Sequence, residues 1–246
     1  MEQHIFILSY ALIVFSILIA RREGLGNERE IFLSSVRTAF QLVLLGYVLK
    51  YLLRLESLWE LSLVILGMSF VSAFIAYERV RHREVLLASF LSITLTTFTT
   101  VAPLLSVGIL KPEAHQLIPF GGLIVGNVLN SITLAFDRFL GEVRNRREEI
   151  EAKVALGATL RFAMKEAFVD SLRTSLIPKI NFMKAAGLVH IPGVAVGMLM
   201  AGADPMNAIL YQIVILYALV FAGLLGSVLM LYTGYRWAFH IASKSL

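Results

Sequence analysis

Seven apolar runs follow one another along this chain, at about Ile5–Ala20, Ile31–Leu53, Leu58–Tyr77, Val85–Leu110, Leu117–Phe136, Ala185–Ala203 and Met206–Tyr232. Each is close to the roughly 20 residues that a helix needs to cross the hydrocarbon of a bilayer. Without water to satisfy backbone groups there, each run is expected to be helical. Composition agrees: 58% of the 246 residues are hydrophobic and only 16% are charged, where a soluble chain carries about 25% charged residues. The same numbers exclude disorder, which needs low hydrophobicity. The expectation is an all-α polytopic membrane protein with about seven transmembrane helices, forming one transmembrane domain over residues 1–246. The first run has no basic residues ahead of it and no small-residue cleavage site after it. It is read as a retained span, not a signal peptide.

The loops give an orientation. Of 22 basic residues, 18 lie in loops one, three and five and in the C-terminal tail. Ten of them, from Arg138 to Lys184, lie in loop five alone. Only Lys50, Arg54 and Lys111 lie in the even loops, and Arg37 sits inside span two. Basic loops stay cytoplasmic, so the N-terminus is expected outside and the C-terminus in the cytoplasm. The net charge of +5 needs no nucleic acid to explain it. The chain has no cysteine, which removes disulfides, thiolate metal sites and thiol catalysis.

Loop five, residues 137–184, is far longer than the other loops. Gly141–Ala155 is charged and favours helix. After Gly157, the apolar residues Leu160, Ala163, Met164, Ala167, Phe168, Leu172 and Leu176 recur every three to four positions, as on an amphipathic helix. Such a helix either lies on the membrane surface or docks a cytoplasmic partner. Glu151-Ala152-Lys153 is followed by Gly157, and Leu176-Ile177-Pro178 closes the segment. This resembles the EAA loop of ABC permeases, a short helix that seats in the ATPase subunit, with the glycine allowing the turn at the helix end. Lys153 replaces the second Ala, and Pro178 lies about ten residues further from Gly157 than that pattern allows. On this resemblance Glu151, Gly157, Arg161 and Pro178 are the expected ATPase-coupling residues, within a coupling loop at 137–184.

No phosphate-binding GxxxxGK[ST], HExxH, GxSxG or calcium-loop motif occurs, and the five histidines have no ligand spacing. An enzyme is therefore not expected; transport needs a path, not a catalytic constellation. Candidate path residues are those whose polarity is out of place in a span. Asn127 and Asn130 share a face of span five beside the Gly122/Gly126 pair. Packing through interhelical hydrogen bonds is the favoured reading there, with a polar path as the other, and either makes this helix central. In span six, Pro192 should kink or break the helix, and broken helices at membrane depth recur at substrate sites; His190 lies beside it. Arg37 and Gln41 lie one turn apart in span two, where a charge is a functional candidate unless it snorkels; Glu78 is the carboxylate read as its partner. The threonines Thr94, Thr96, Thr97, Thr99 and Thr100 of span four are read as structural. Asp204 is expected to cap the last helix.

Four strings widen the resemblance: Ser35-Val-Arg-Thr-Ala-Phe-Gln-Leu-Val-Leu-Leu-Gly46, Gly126-Asn-Val-Leu-Asn130, Gly187-Leu-Val-His-Ile-Pro-Gly193 and Ala201-Gly-Ala-Asp-Pro205. In order and spacing they resemble the FetB-type permease family, whose plant relatives are linked to aluminium tolerance. That resemblance implies an inner-membrane permease of an ABC transporter, exporting a metal ion such as iron. It implies a homodimer, paired with a FetA-like ATP-binding subunit that carries the ATP and Mg; no cofactor is expected on this chain. The alternatives are a stand-alone secondary transporter or channel, or an ABC permease for another substrate such as a nucleotide sugar.

Overall fold

The computed structural model describes residues 2–80 and 82–244; Arg81, counted among the basic residues of loop three, lies outside them. Among the described residues there are ten helices and no strand. They are α1 (Glu2–Arg22), α2 (Glu28–Leu52), α3 (Leu58–Val80), α4 (Arg83–Ser106), α5 (Ala114–Asn145), α6 (Arg147–Ala155), α7 (Leu160–Ala163), α8 (Lys165–Ala185), α9 (Gly193–Met200) and α10 (Pro205–Lys244). Helices α2, α3, α4, α5 and α10 are long and apolar enough to cross a membrane. The chain divides into two compact units, Met1–Leu55 and Glu56–Leu246.

In the first unit α1 packs on α2. The turn between them uses Gly24 and Gly26, at φ 66° and 70°. Glu28 and Glu30 in the first turn of α2 face the positive end of its dipole.

The second unit is built around α5, which buries the most side chains and touches α3, α4, α8 and α10. Small residues set the close approaches, as at membrane helix crossings. A Cβ on Gly121 would lie 2.9 Å from Ile65 of α3. On Gly226 it would meet Val128 at 2.6 Å, and on Gly234 it would meet Phe136 at 2.8 Å. The Gly122/Gly126 pair is looser: Gly122 faces Met68 and Gly126 has nothing within 4 Å. These contacts also fix direction. Val128 meets Gly226 and Phe136 meets Gly234 at one constant offset, so α5 and α10 run parallel. Ser89 donates to the Met230 sulfur at 3.7 Å and Thr96 lies beside Gly226, so α4 runs antiparallel to α10.

The segment read as loop five is helical almost throughout. Helix α5 runs on past Phe136 to Asn145, then α6 and α7 form an elbow, and α8 turns back along α5 and α10. Helix α8 continues through Pro178 to Ala185; the proline does not close it. The sixth apolar run departs most from its sequence reading as a single span. Its first residue ends α8. Residues 186–192 form a turn in which the Gly187 N–H donates to the His190 carbonyl at 2.9 Å. Only eight residues after Pro192 form α9. Eight residues rise about 12 Å, too little to cross about 30 Å of hydrocarbon. Pro192 does break the run, as its missing N–H predicts. Asp204 caps α10 as expected: its Oδ2 accepts from the Asn207 N–H at 3.0 Å, with Pro205 at the first helical position.

Candidate functional site

The elbow is an ionic construction around Arg146, the residue between α5 and α6. Its Nε donates to Glu142 at 3.2 Å, its Nη1 to Glu166 at 2.9 Å and its Nη2 to Asp170 at 2.6 Å. One guanidinium therefore joins the end of α5 to the start of α8. Glu142, 8% exposed, also accepts from Arg138 at 3.0 Å. Lys153 of α6 bonds Glu149 and reaches Glu166 at 3.4 Å. The charges shift one another. Burial works against the Arg146 charge, but Asp170 and Glu142 outweigh it and hold the guanidinium above its ordinary range. The hydrogen bond from Lys153, with its charge, holds the Glu149 carboxyl below the usual carboxylate value, and Lys153 rises in turn.

Three of the four expected coupling residues lie along this elbow. Glu151 sits on α6, bonded by Arg147 at 2.7 Å. Gly157 follows α6 at φ 95°. Its N–H donates to Val154 and that of Ala158 to Lys153, the paired bonds of a left-handed helix end. Thr159 caps α7 through the Phe162 N–H at 3.4 Å. Arg161 turns back to α10, donating to the Tyr232 hydroxyl at 2.9 Å with its guanidinium 4.6 Å from the ring centre. Tyr232 stacks on Phe168 of α8 at 4.9 Å, and Phe168 meets Phe139 of α5 edge-on at 6.2 Å. Pro178 lies further along α8, away from the elbow. The elbow shows apolar side chains: Leu156, which follows α6, is 90% exposed and Phe162 of α7 is 64%.

A second cluster lies where α8 meets α5 and α10. The Asn127 amide nitrogen donates to the Leu219 carbonyl of α10 at 2.7 Å. The Lys179 ammonium donates to the Asn127 amide oxygen at 2.7 Å. The Lys179 stem lies against Gly223, where an added Cβ would come within 2.0 Å of its Cε. Asn127 is thus a tie between three helices, with both ends of its amide engaged. Asn130, one turn on, is exposed. Lys179 is not legible in the sequence because it falls in the stretch that reads as a cytoplasmic loop; the nearest signal is the small residue Gly223 at its level.

Within the second unit, the remaining candidates lie apart from this junction. His190 packs its ring on Phe182 at 4.6 Å, and its Nε2 is buried without a hydrogen-bond partner among the described residues. Pro192 is buried and starts α9. The free amides of α9 find one partner: the Ala195 N–H donates to the buried Gln212 of α10 at 3.1 Å. A cavity of about 460 Å³ lies between the turn and α10, lined by Gly187, Pro192, Gln212 and Tyr217 among others. Arg37 and Gln41 lie on α2 in the first unit, both exposed. In α4, Thr99 and Thr100 return their hydroxyls to the carbonyls of Leu95 and Thr96 at 2.7 Å. The hydroxyls of Ser92, Thr94, Thr96 and Thr97 are buried without a partner among the described residues. No group of three or more His, Asp or Glu placed to hold a metal occurs among the described residues.

Residues 4–239 match the uncharacterised protein family UPF0014. The chain belongs to this family. Within UPF0014 it is 34% identical to the "Probable iron export permease protein FetB" of Escherichia coli K12, over 93% of this chain and 89% of that protein. It is 31% identical to the "UPF0014 membrane protein STAR2" of Oryza sativa subsp. japonica, over 90% of this chain and 78% of that protein. It is also 29% identical to "Protein ALUMINUM SENSITIVE 3" of Arabidopsis thaliana, over 89% of this chain and 81% of that protein. No solved structure matches the chain. The UPF0014 match takes in both the elbow and the junction.

Proposed function

We propose that this UPF0014 chain is the permease subunit of an ATP-driven transporter in the inner membrane. A homodimer of it works with two FetA-like ATP-binding subunits, which supply the ATP and Mg. The observation that carries the reading is the elbow. Leu156 and Phe162 are exposed on either side of the Gly157 turn, beside the ionic frame around Arg146, as a docking point for another protein. The helix directions support a crossing between α5 and α10, and the basic loops support an N-terminus outside. Parallel α5 and α10 require an odd number of crossings between them, and α8 with α9 supplies one, broken at 186–192. The cargo reading, export of a metal ion such as iron, rests on the name of the Escherichia coli relative.

ATP-driven closure at the elbow pulls on α8, and α8 carries Lys179 into the junction with Asn127 and Gly223. Arg37, Gln41, Asn130, His190 and Pro192 remain the proposed path residues. The test is co-purification with the ATP-binding subunit and ATP hydrolysis in liposomes, screened with iron, other metals and nucleotide sugars. Leu156→Asp and Gly157→Trp should abolish the complex. A complex that survives both, with hydrolysis still stimulated, defeats the coupling reading, and transport without ATP establishes a secondary transporter instead.

A further inference from the structure

We propose that the groove between α7 and the last turns of α10 is a binding site for the headgroup of an anionic phospholipid. The groove has a volume of about 740 Å³ and is lined by Leu160, Arg161, Tyr235, Arg236, Trp237 and Phe239, among others. Two arginines line it, and the guanidinium groups of both bond phenols, not carboxylates. Arg161 holds the Tyr232 hydroxyl. Arg236 donates to the Tyr235 hydroxyl at 3.1 Å, with its guanidinium 5.7 Å from that ring's centre. Neither is paired with an acidic side chain among the described residues. Each uses one of five donors in the bond to its phenol, and the rest form the fork that fits a phosphate diester.

The level on α10 identifies the phosphate as a lipid's. Tyr232 lies 27 residues after Pro205, about 40 Å along the helix. The hydrocarbon is about 30 Å thick, so the groove sits at the headgroup layer. Tyr232, Tyr235 and Trp237 fall there together, as aromatic residues do at a membrane interface. The lining has the matching division, with arginines for the headgroup and Leu160, Trp237 and Phe239 for the upper acyl chain. Basic pockets between transmembrane helices take anionic headgroups in this way.

The full chain, purified in a neutral detergent, is titrated with phosphatidylglycerol and with phosphatidylcholine, and bound lipid is counted by native mass spectrometry. Phosphatidylglycerol should bind and phosphatidylcholine should not. Arg161→Gln with Arg236→Gln should weaken phosphatidylglycerol about thirtyfold, since each surface arginine contributes about fivefold. The Lys pair at the same positions should retain most of the binding and serves as the test if the Gln pair does not fold. Equal binding of the two lipids, or undiminished binding by the Gln pair, overturns the proposal. Displacement of the lipid by millimolar inorganic phosphate also overturns it and makes the groove a soluble-anion site. The readout is lipid bound to the permease alone, so it stands or falls independently of the ATP-binding partner.

Discussion

Lys179 places a positive charge where α8 meets the apolar helices α5 and α10, and its one hydrogen-bond partner among the described residues is a neutral amide. The arrangement survives because Gly223 leaves room for the stem. Gly223→Ala should displace the flexible end of Lys179 and break the bond to Asn127, while the backbone stays. Lys179→Met keeps the bulk and removes the charge. If the ammonium links α8 to the path, both variants should express normally and hydrolyse ATP with the partner, yet lose at least tenfold in transport into liposomes. Transport at the parental rate in both would leave Lys179 a packing residue. Gly226→Ala differs, because its Cβ meets Val128 at 2.6 Å, a short branched side chain with nowhere to swing. Overpacking of that kind costs about 1–3 kcal/mol and should appear as a lowered unfolding temperature whatever happens to transport.

The elements read unequally well from the sequence. Spans two to five and seven were plain, because each is a long apolar run bounded by charges. The elbow helices are legible in part: Gly157 marks the end of α6, and the three-to-four spacing after Leu160 marks one helix, which the structure divides at Met164 into α7 and α8. The packing of helix α8 against α5 and α10 is not legible in the sequence, because its buried face is small and polar, with Ala167, Ser171 and Ser175, and its length carries Lys165, Arg173 and Lys179. No window of it looks like a span. Its burial comes from neighbours on α5 and α10, which hydropathy does not see. The Asn127 reading as a packing residue matches the tie that it makes; the partner was hidden by the placement of α8. Helix α9 carries its own test. Its N-terminal amide rests on Gln212, so Gln212→Leu removes a cap worth about 1 kcal/mol. Hydrogen exchange should rise at residues 193–196 and remain unchanged in α5. The elbow is tested by acid. Glu149 is held below the usual carboxylate value by Lys153, so its ion pair contributes above that value and is lost as pH falls through the lowered one. Protease cleavage at α6 should therefore increase only on acidification below about pH 4.5, and Lys153→Met should remove the dependence.

At the scale of the whole molecule, the lack of cysteine makes topology directly measurable. Single cysteines at Gly24, Lys111, Leu156 and Gly202 should divide two against two. Those at Lys111 and Gly202 should react with an impermeant maleimide in intact cells, and those at Gly24 and Leu156 only after the membrane is opened. Labelling of Leu156 and Gly202 from the same side would reverse the crossing count assigned to α8 and α9. The length of α5 has a mechanical consequence. Its 32 residues reach about 48 Å, some 18 Å more than the hydrocarbon needs. In the proposed complex the overhang would be a stalk: the ATP-binding subunit would grip its tip without pressing into the lipid, and the bilayer would be the fulcrum between that grip and Asn127.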